Sequence, residues 1–326
     1  MALNNNTELA PIAFFVYSRA DHTKKAIDAL LNNKQAKYSD LFIFSDGAKD
    51  EDSKKKVAEV RRYIQSLSGF KSIICEFREK NYGMKRNIID GVTTVVNRYG
   101  RVIVVEDDVI VAPDFLEFMN LALSKYENYS RLMAISGYTP AVPKDKLPDY
   151  FFIPWFNCWG WATWANRWKF FNEDVDDIIS NTSKRMIRRI NYNGAYKTMW
   201  DHVLANKDGR LKSWAIFYFV AICKNDGLVL YSRDGYTTNI GADGSGESGA
   251  ANSNMIEVKL SDEEKGKDLP EIVDVSDDVT KVFERYYRYN FSWIAMQKHR
   301  IEYLKKYGII RTIKRIFEVL EEKKSQ

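Results

Sequence analysis

Short apolar runs alternate with amphipathic stretches along the first part of the chain. "PIAFFVYS" (11–18), "DLFIFSD" (40–46), "KSIICEF" (71–77), "RVIVVED" (101–107) and "LMAISGY" (132–138) are continuous hydrophobic runs, the pattern of strands buried on both faces. The segments between them, 21–33, 50–68, 83–100 and 112–128, carry apolar residues at helical spacing, as with Ala26, Ala29 and Leu30. Acids open the second of these helices, Gly100 closes the third and Pro113 lies in the first turn of the fourth. The alternation predicts an α/β fold, an open and mostly parallel sheet with helices on both faces. Such sheets bind ligands outside the carboxyl ends of their strands. Polar residues gather at those ends here: Ser18-Arg19, Ser45-Asp46-Gly47 and Glu106-Asp107-Asp108.

The second half reads differently. An aromatic segment, "FFIPWFNCWGWATWANRW" (151–168), is followed by a basic helical stretch (183–207), the apolar "WAIFYFVAICK" (214–224) and a glycine-rich loop (239–252). From about Thr280 basic, amphipathic helices are expected to the end of the chain. The prolines of "TPAVPKDKLPD" place a boundary near 140–150.

Composition narrows the picture. With 326 residues, 45% of them hydrophobic, and eight Trp, the chain has ample material for a core. A net charge of +5 does not by itself imply nucleic acid, and it suits an anionic substrate or membrane surface. Cys75, Cys158 and Cys223 are widely spaced and form no C-x-x-C pair, which argues against zinc or a disulfide framework and for a reducing compartment. No basic segment precedes the first apolar run, and no apolar stretch approaches the ~20 residues that span a bilayer. A cytoplasmic location is therefore expected. The glycine-rich loop lacks the G-x-x-x-x-G-K-[ST] of a P-loop, and no G-x-G-x-x-G follows the first strand.

The candidate chemistry centres on Glu106, Asp107 and Asp108, three adjacent acids at a strand end. Their repulsion would be relieved by a hard divalent cation such as Mn²⁺ or Mg²⁺, which takes oxygen ligands and shares its shell with substrate phosphates; a solvated turn is the plainer explanation. "VIVVEDDVIVAPDFLEFM" (102–119) resembles the metal-binding segment of GT-A-fold (Rossmann-like) glycosyltransferases, closest to the N-acetylglucosaminyltransferase I-like family, in which E-D-D replaces the usual D-x-D. "VYSRADHTKKAIDALL" (16–31), "FSDGAKDED" (44–52) and "NYGMKRNIIDGV" (81–92) resemble that family's nucleotide-side segments. "CWGWATWANRW" (158–168) and the stretch 213–249 are similar to segments of bacterial sugar transferases.

The resemblance implies an inverting enzyme with a UDP-sugar donor and Mn²⁺. Asp108 would ligate the metal, Glu106 and Asp107 would hold the sugar and ribose side of the donor, Arg19 the nucleotide, and Asp46 the uracil. An inverting transfer needs one general base, and "KTMWDHVLANK" (197–207) resembles the family's Trp-Asp segment, which points to Asp201; a helix-surface aspartate beside Trp200 and His202 is the plainer alternative. Glu173, Asp174, Asp176 and Asp177 are rivals that read more simply as a solvated face or a helix start. Lys85 and Arg86 could offset phosphate charge, or be ordinary helix-surface residues. In the glycine loop, Gly241, Gly244, Gly246 and Gly249 suit a lid over the diphosphate, with a plain surface loop as the alternative. Of Trp155, Trp159, Trp161 and Trp164, most should be core, with some free to stack on a sugar ring; Gly160 among them suggests a close backbone approach.

The organisation that follows is a nucleotide-sugar and metal-binding half (11–145), an acceptor-side half (146–255) and a basic amphipathic tail (256–326). The tail could lie peripherally on an anionic inner membrane face or dock on the domain. A glycan or lipid-linked glycan acceptor in bacterial lipopolysaccharide, capsule or other surface-polysaccharide assembly fits this reading, with no role for nucleic acid. A sugar-nucleotide nucleotidyltransferase and a non-catalytic nucleotide-sugar or glycan-binding module are the alternatives.

Overall fold

The predicted strands and helices of the first half form where the apolar pattern places them, within a few residues. The computed structural model describes residues 8–243, 260 and 268–292. Its strands are β1 (Ile12–Val16), β2 (Asp40–Ser45), β3 (Ser72–Phe77), β4 (Arg101–Glu106), β5 (Val109–Val111), β6 (Leu132–Ser136), β7 (Tyr150–Ile153), β8 (Trp161–Trp164), β9 (Leu228–Ser232) and β10 (Thr237–Asn239). The helices are α1 (Ala20–Leu31), α2 (Glu51–Gln65), α3 (Gly83–Tyr99), α4 (Phe115–Lys125), α5 (Ala165–Trp168), α6 (Val175–Ser180), α7 (Lys184–Ile190), α8 (Met199–Lys207), α9 (Ala215–Lys224) and α10 (Asp277–Asn290).

Local chemistry explains the boundaries. Asp50 caps α2 by accepting from the Ser53 N–H at 2.8 Å, while the Ser53 hydroxyl accepts from the Asp50 N–H, a reciprocal arrangement that satisfies two orphan donors. Gly100 ends α3 in the left-handed region, φ 76°. The fourth helix begins at Phe115 rather than at 112, so Pro113 precedes it.

Eight strands make one mostly parallel sheet in the order β3-β2-β1-β4-β8-β6-β9-β7. The first four run parallel to one another, and β8 enters antiparallel between β4 and β6. The same sheet thus takes strands from both sides of the proline-marked segment 140–149. A separate antiparallel pair, β5 and β10, stands beside it.

Alternation along β1 shows how the sheet is covered. Ala13 and Phe15 belong to one buried cluster, with residues of α3, α9 and α10; Ile12, Phe14 and Val16 belong to the other, with residues of α1, α2 and α4. The run 214–224 becomes α9, buried over most of its length. At Gly91 on α3, an added Cβ would lie 2.6 Å from Phe15 Cε1 and 2.9 Å from Phe44 Cδ2. Those two rings stack at 5.2 Å. Gly91→Val is therefore expected to overpack this contact and cost roughly 1–3 kcal/mol, read as a lower urea midpoint with an unchanged slope.

Among the described residues, no helix is long and apolar enough to cross a membrane. α10 docks on the domain through Phe283, whose ring lies 5.5 Å from Phe151 and 6.1 Å from Trp155. The tail stretch 296–324, read as either a membrane-surface helix or a helix docked on the domain, lies outside the described residues, as does Gly244.

Candidate active site

β1 lies between β2 and β4, so the residues that follow these three strands meet on one rim. Register fixes the meeting. Phe15 pairs with Phe44 on one side and Glu106 on the other. The Asp46 N–H donates to Val16 O at 3.1 Å, and the Asp107 N–H donates to Phe15 O at 3.0 Å. Arg19, Asp46 and the acidic trio are brought together this way.

Arg19 precedes α1 and reaches across the end of β1 to the acids. Its Nη2 donates to Asp107 Oδ1 and, at 2.9 Å, to Asp108 Oδ2, so one nitrogen bridges both carboxylates. Its Nε adds a longer contact of 3.4 Å to Asp107 Oδ2. Burial alone would lower the Arg19 pKa, but the charges of Asp107 and Asp108 more than offset this and hold it above its usual value. Burial pushes the Asp107 carboxyl up, against the pull of Arg19. Glu106 is pushed up to about 8, first by burial and then by Asp108 and Asp107, with Arg19 opposing. The Cys158 thiol is raised by burial and by the Glu106 charge, which makes it a poor nucleophile.

Whether these residues suit a divalent cation is decided by their oxygens and by Arg19. Among the described residues no three His, Cys, Asp or Glu side chains are grouped closely enough to cage a metal alone. Mg²⁺ and Mn²⁺ do not require such a cage, since one or two carboxylates suffice when substrate phosphates and water complete the shell. Carboxylate oxygens are the right donors for such hard cations. Arg19 Nη1 is buried without a hydrogen-bond partner among the described residues, and a buried, charged donor of this kind calls for an anionic acceptor. A hard cation held together with an anionic substrate fits this set.

Asp46 is 4% exposed and already engaged by the protein. Oδ1 accepts from the Gly47 and Tyr82 N–H groups, both at 2.8 Å. Oδ2 accepts from Asn81 Nδ2 at 3.1 Å and from the Gly83 N–H at 2.9 Å. The carboxylate thus ties the end of β2 to the start of α3. Arg61, which the sequence did not single out, braces the same corner by donating from Nη2 to Asp46 O at 3.1 Å and Arg78 O at 2.7 Å.

Lys85 pairs with Glu173 at 3.1 Å and lies 4.5 Å from the centre of the Phe217 ring. Arg86 pairs with Asp90 at 3.1 Å on the exposed face of α3. Asp174 caps α6, with Asp176 and Asp177 in its first turn, so these three acids form a helix start. Trp155, Trp161 and Trp164 are core residues. Trp159 is only half-buried and meets Tyr138 edge-on at 4.6 Å. Gly160 has φ +71°, and a Cβ there would lie 2.6 Å from Thr237 Cγ2.

Asp201 is exposed in the first turn of α8. Its charge acts on Tyr196 and His202, and no hydrogen bond or ion pair among the described residues joins it to the acidic trio. Burial lowers the His202 pKa, with Asp201 opposing, so the folded state disfavours the charged imidazole. A depressed imidazole pKa contributes stability above the ordinary value of 6.5 that is lost as pH falls below it. The urea midpoint of the wild-type chain should therefore drop relative to that of His202→Asn on acidification through that value.

The β5–β10 pair completes the site. Asn239 Nδ2 donates to Asp108 Oδ1 at 3.2 Å, and the Ile240 N–H donates to Asp108 O at 2.8 Å. His22 on α1 pairs with Asp243 at 3.3 Å. His22, Arg61 and Asn239 were not legible as site residues, because each is defined by an approach between distant segments and matches no local motif.

The rim defines a class before any relative is considered: an α/β protein with an acid–arginine cluster at the carboxyl ends of its central strands. Residues 1–173, more than half of the chain, match the GNT-I family model, and the chain belongs to that family. It is 25% identical over 173 residues to the alpha-1,3-mannosyl-glycoprotein 2-beta-N-acetylglucosaminyltransferase of Arabidopsis thaliana, a match covering 49% of this chain and 38% of that protein. The chain thus spans well under half the length of that relative. Among solved structures it is similar to the mannosyltransferase PcManGT from Pyrobaculum calidifontis in complex with GDP-Man and Mn²⁺, with 13% identity, 67% of this chain and 68% of that chain covered, and a TM-score of 0.38.

Proposed function

We propose that the chain is an inverting, metal-dependent glycosyltransferase that moves a sugar from a UDP-sugar to a hydroxyl of a glycan or lipid-linked glycan acceptor. The observation that carries this reading is the convergence of Asp107 and Asp108 on Arg19 at the end of β4, in a chain whose first 173 residues belong to the GNT-I family.

In this reading Asp108 holds Mn²⁺ or Mg²⁺. A bound divalent cation supplies Lewis-acid stabilisation of the departing diphosphate. Arg19, kept charged by its two acids, offers its unpartnered Nη1 to the nucleotide's anionic oxygens. Glu106 and Asp107 face the sugar and ribose side of the donor. Asp46 sets the shape of the uracil end through the loop it ties to α3. Lys85 and Arg86 contribute only the charge they bring to the start of that helix. Asp201 takes the proton from the acceptor hydroxyl as its oxygen bonds to the anomeric carbon and the carbon–diphosphate bond breaks, releasing UDP. Surface-polysaccharide assembly is the setting proposed for the acceptor.

A donor screen by mass spectrometry, with Mn²⁺ present and a panel of nucleotide sugars, tests the reading. Release of UDP from one UDP-sugar, absent in chelator, is expected. Turnover of a nucleoside triphosphate with a sugar phosphate instead would mark a nucleotidyltransferase, and binding without turnover of any donor would mark a binding module.

A further inference from the structure

Within its own segment Asp108 has a broad χ2 and like-charged neighbours, neither of which fixes its carboxylate. Arg19 Nη2 holds one of its oxygens at 2.9 Å, and the rest of its hold comes from a turn more than a hundred residues downstream. β10 pairs Asn239 with Val109, and the Ile240 N–H holds Asp108 O at 2.8 Å. The Asn239 amide then meets the carboxylate: Nδ2 donates to Asp108 Oδ1 at 3.2 Å, while its own Oδ1 accepts from the Gly241 N–H at 2.8 Å. That second bond settles which way the amide faces. Asn239 is 7% exposed, so the contact is sheltered from water.

The two oxygens of Asp108 are thereby made unequal. Oδ1 is held by Asn239. Oδ2 meets Arg19 Nη2 at 2.9 Å and faces Gly241, where a Cβ would lie only 2.4 Å away. Only glycine leaves that oxygen room.

We propose that Asn239 is a positioning residue for Asp108, locking Oδ1 so that Oδ2 is presented to the cation, and that Gly241 keeps the approach to Oδ2 open. The inference rests on the reading of Asp108 as the metal ligand. Asn239 does not touch the reacting atoms; it acts through the carboxylate it orients, as hydrogen-bond partners of metal ligands do.

The test is the Mn²⁺ concentration that half-saturates UDP binding, measured by calorimetry on the full chain for the wild type, Asn239→Ala, Gly241→Ala and Asp108→Ala, with unfolding midpoints recorded alongside. Partners of this kind are worth roughly 10–100-fold in metal affinity. A rise of that order is expected for Asn239→Ala and Gly241→Ala, with transfer by Asn239→Ala recovering at saturating Mn²⁺. The Ile240–Asp108 backbone bond survives both changes, so midpoints should stay near wild type; if one variant unfolds, the other decides. Wild-type Mn²⁺ dependence in a folded Asn239→Ala or Gly241→Ala, beside its loss in Asp108→Ala, overturns the positioning role and leaves the metal reading standing. Unchanged Mn²⁺ dependence in Asp108→Ala overturns both.

Discussion

Asp108→Ala is expected to abolish metal-dependent donor cleavage, by roughly a thousand-fold or more. Lewis-acid stabilisation of a departing diphosphate is worth several kcal/mol, and each 1.36 kcal/mol is about tenfold in rate. The fold should survive, because Asp108 is tied into the β5–β10 pair through its backbone oxygen, which the substitution keeps. Removing the side chain also removes one of the two carboxylates on Arg19 Nη2. Arg19 then keeps only Asp107. Measuring UDP release against Mn²⁺ concentration, with unfolding as a control, checks both points. A variant that retains Mn²⁺-stimulated turnover would remove Asp108 from the chemistry.

Asp201→Asn is expected to lower transfer by about 10²–10⁴-fold, the usual worth of a positioned general base. UDP and Mn²⁺ binding should be unchanged, since no contact of the described residues links Asp201 to the trio. The two substitutions therefore separate: Asp108→Ala removes metal-supported binding and chemistry together, whereas Asp201→Asn leaves binding and removes transfer. Single-turnover transfer beside UDP calorimetry makes the distinction. Full transfer by Asp201→Asn would move the search for the base elsewhere on the acceptor side.

The first half of the sheet was legible because strands buried on both faces read as unbroken apolar runs, separated by helices with ordinary caps. The rim was legible for the same reason: once the strands are parallel, Arg19, Asp46 and Glu106–Asp108 must share one end. The insertion of β8 between β4 and β6 was not readable, since antiparallel partners there are chosen by tertiary packing. β5 was missed because Val109–Val111 is too short to announce itself and its partner is Thr237–Asn239. With β5 went the Asn239–Gly241 turn, whose hold on Asp108 exists only across that pairing. The engagement of Asp46 by Asn81, Tyr82 and Gly83 belongs to the same category: an acid at a strand end is visible in sequence, and the donors that close around it are not.

Calorimetry of UDP with the wild-type chain, in Mn²⁺ and again in excess chelator, tests the central claim most directly. The account predicts saturable binding with Mn²⁺ and its loss on chelation, because a cation held by Asp108 would grip the nucleotide's diphosphate. Equal affinity in both conditions would contradict it.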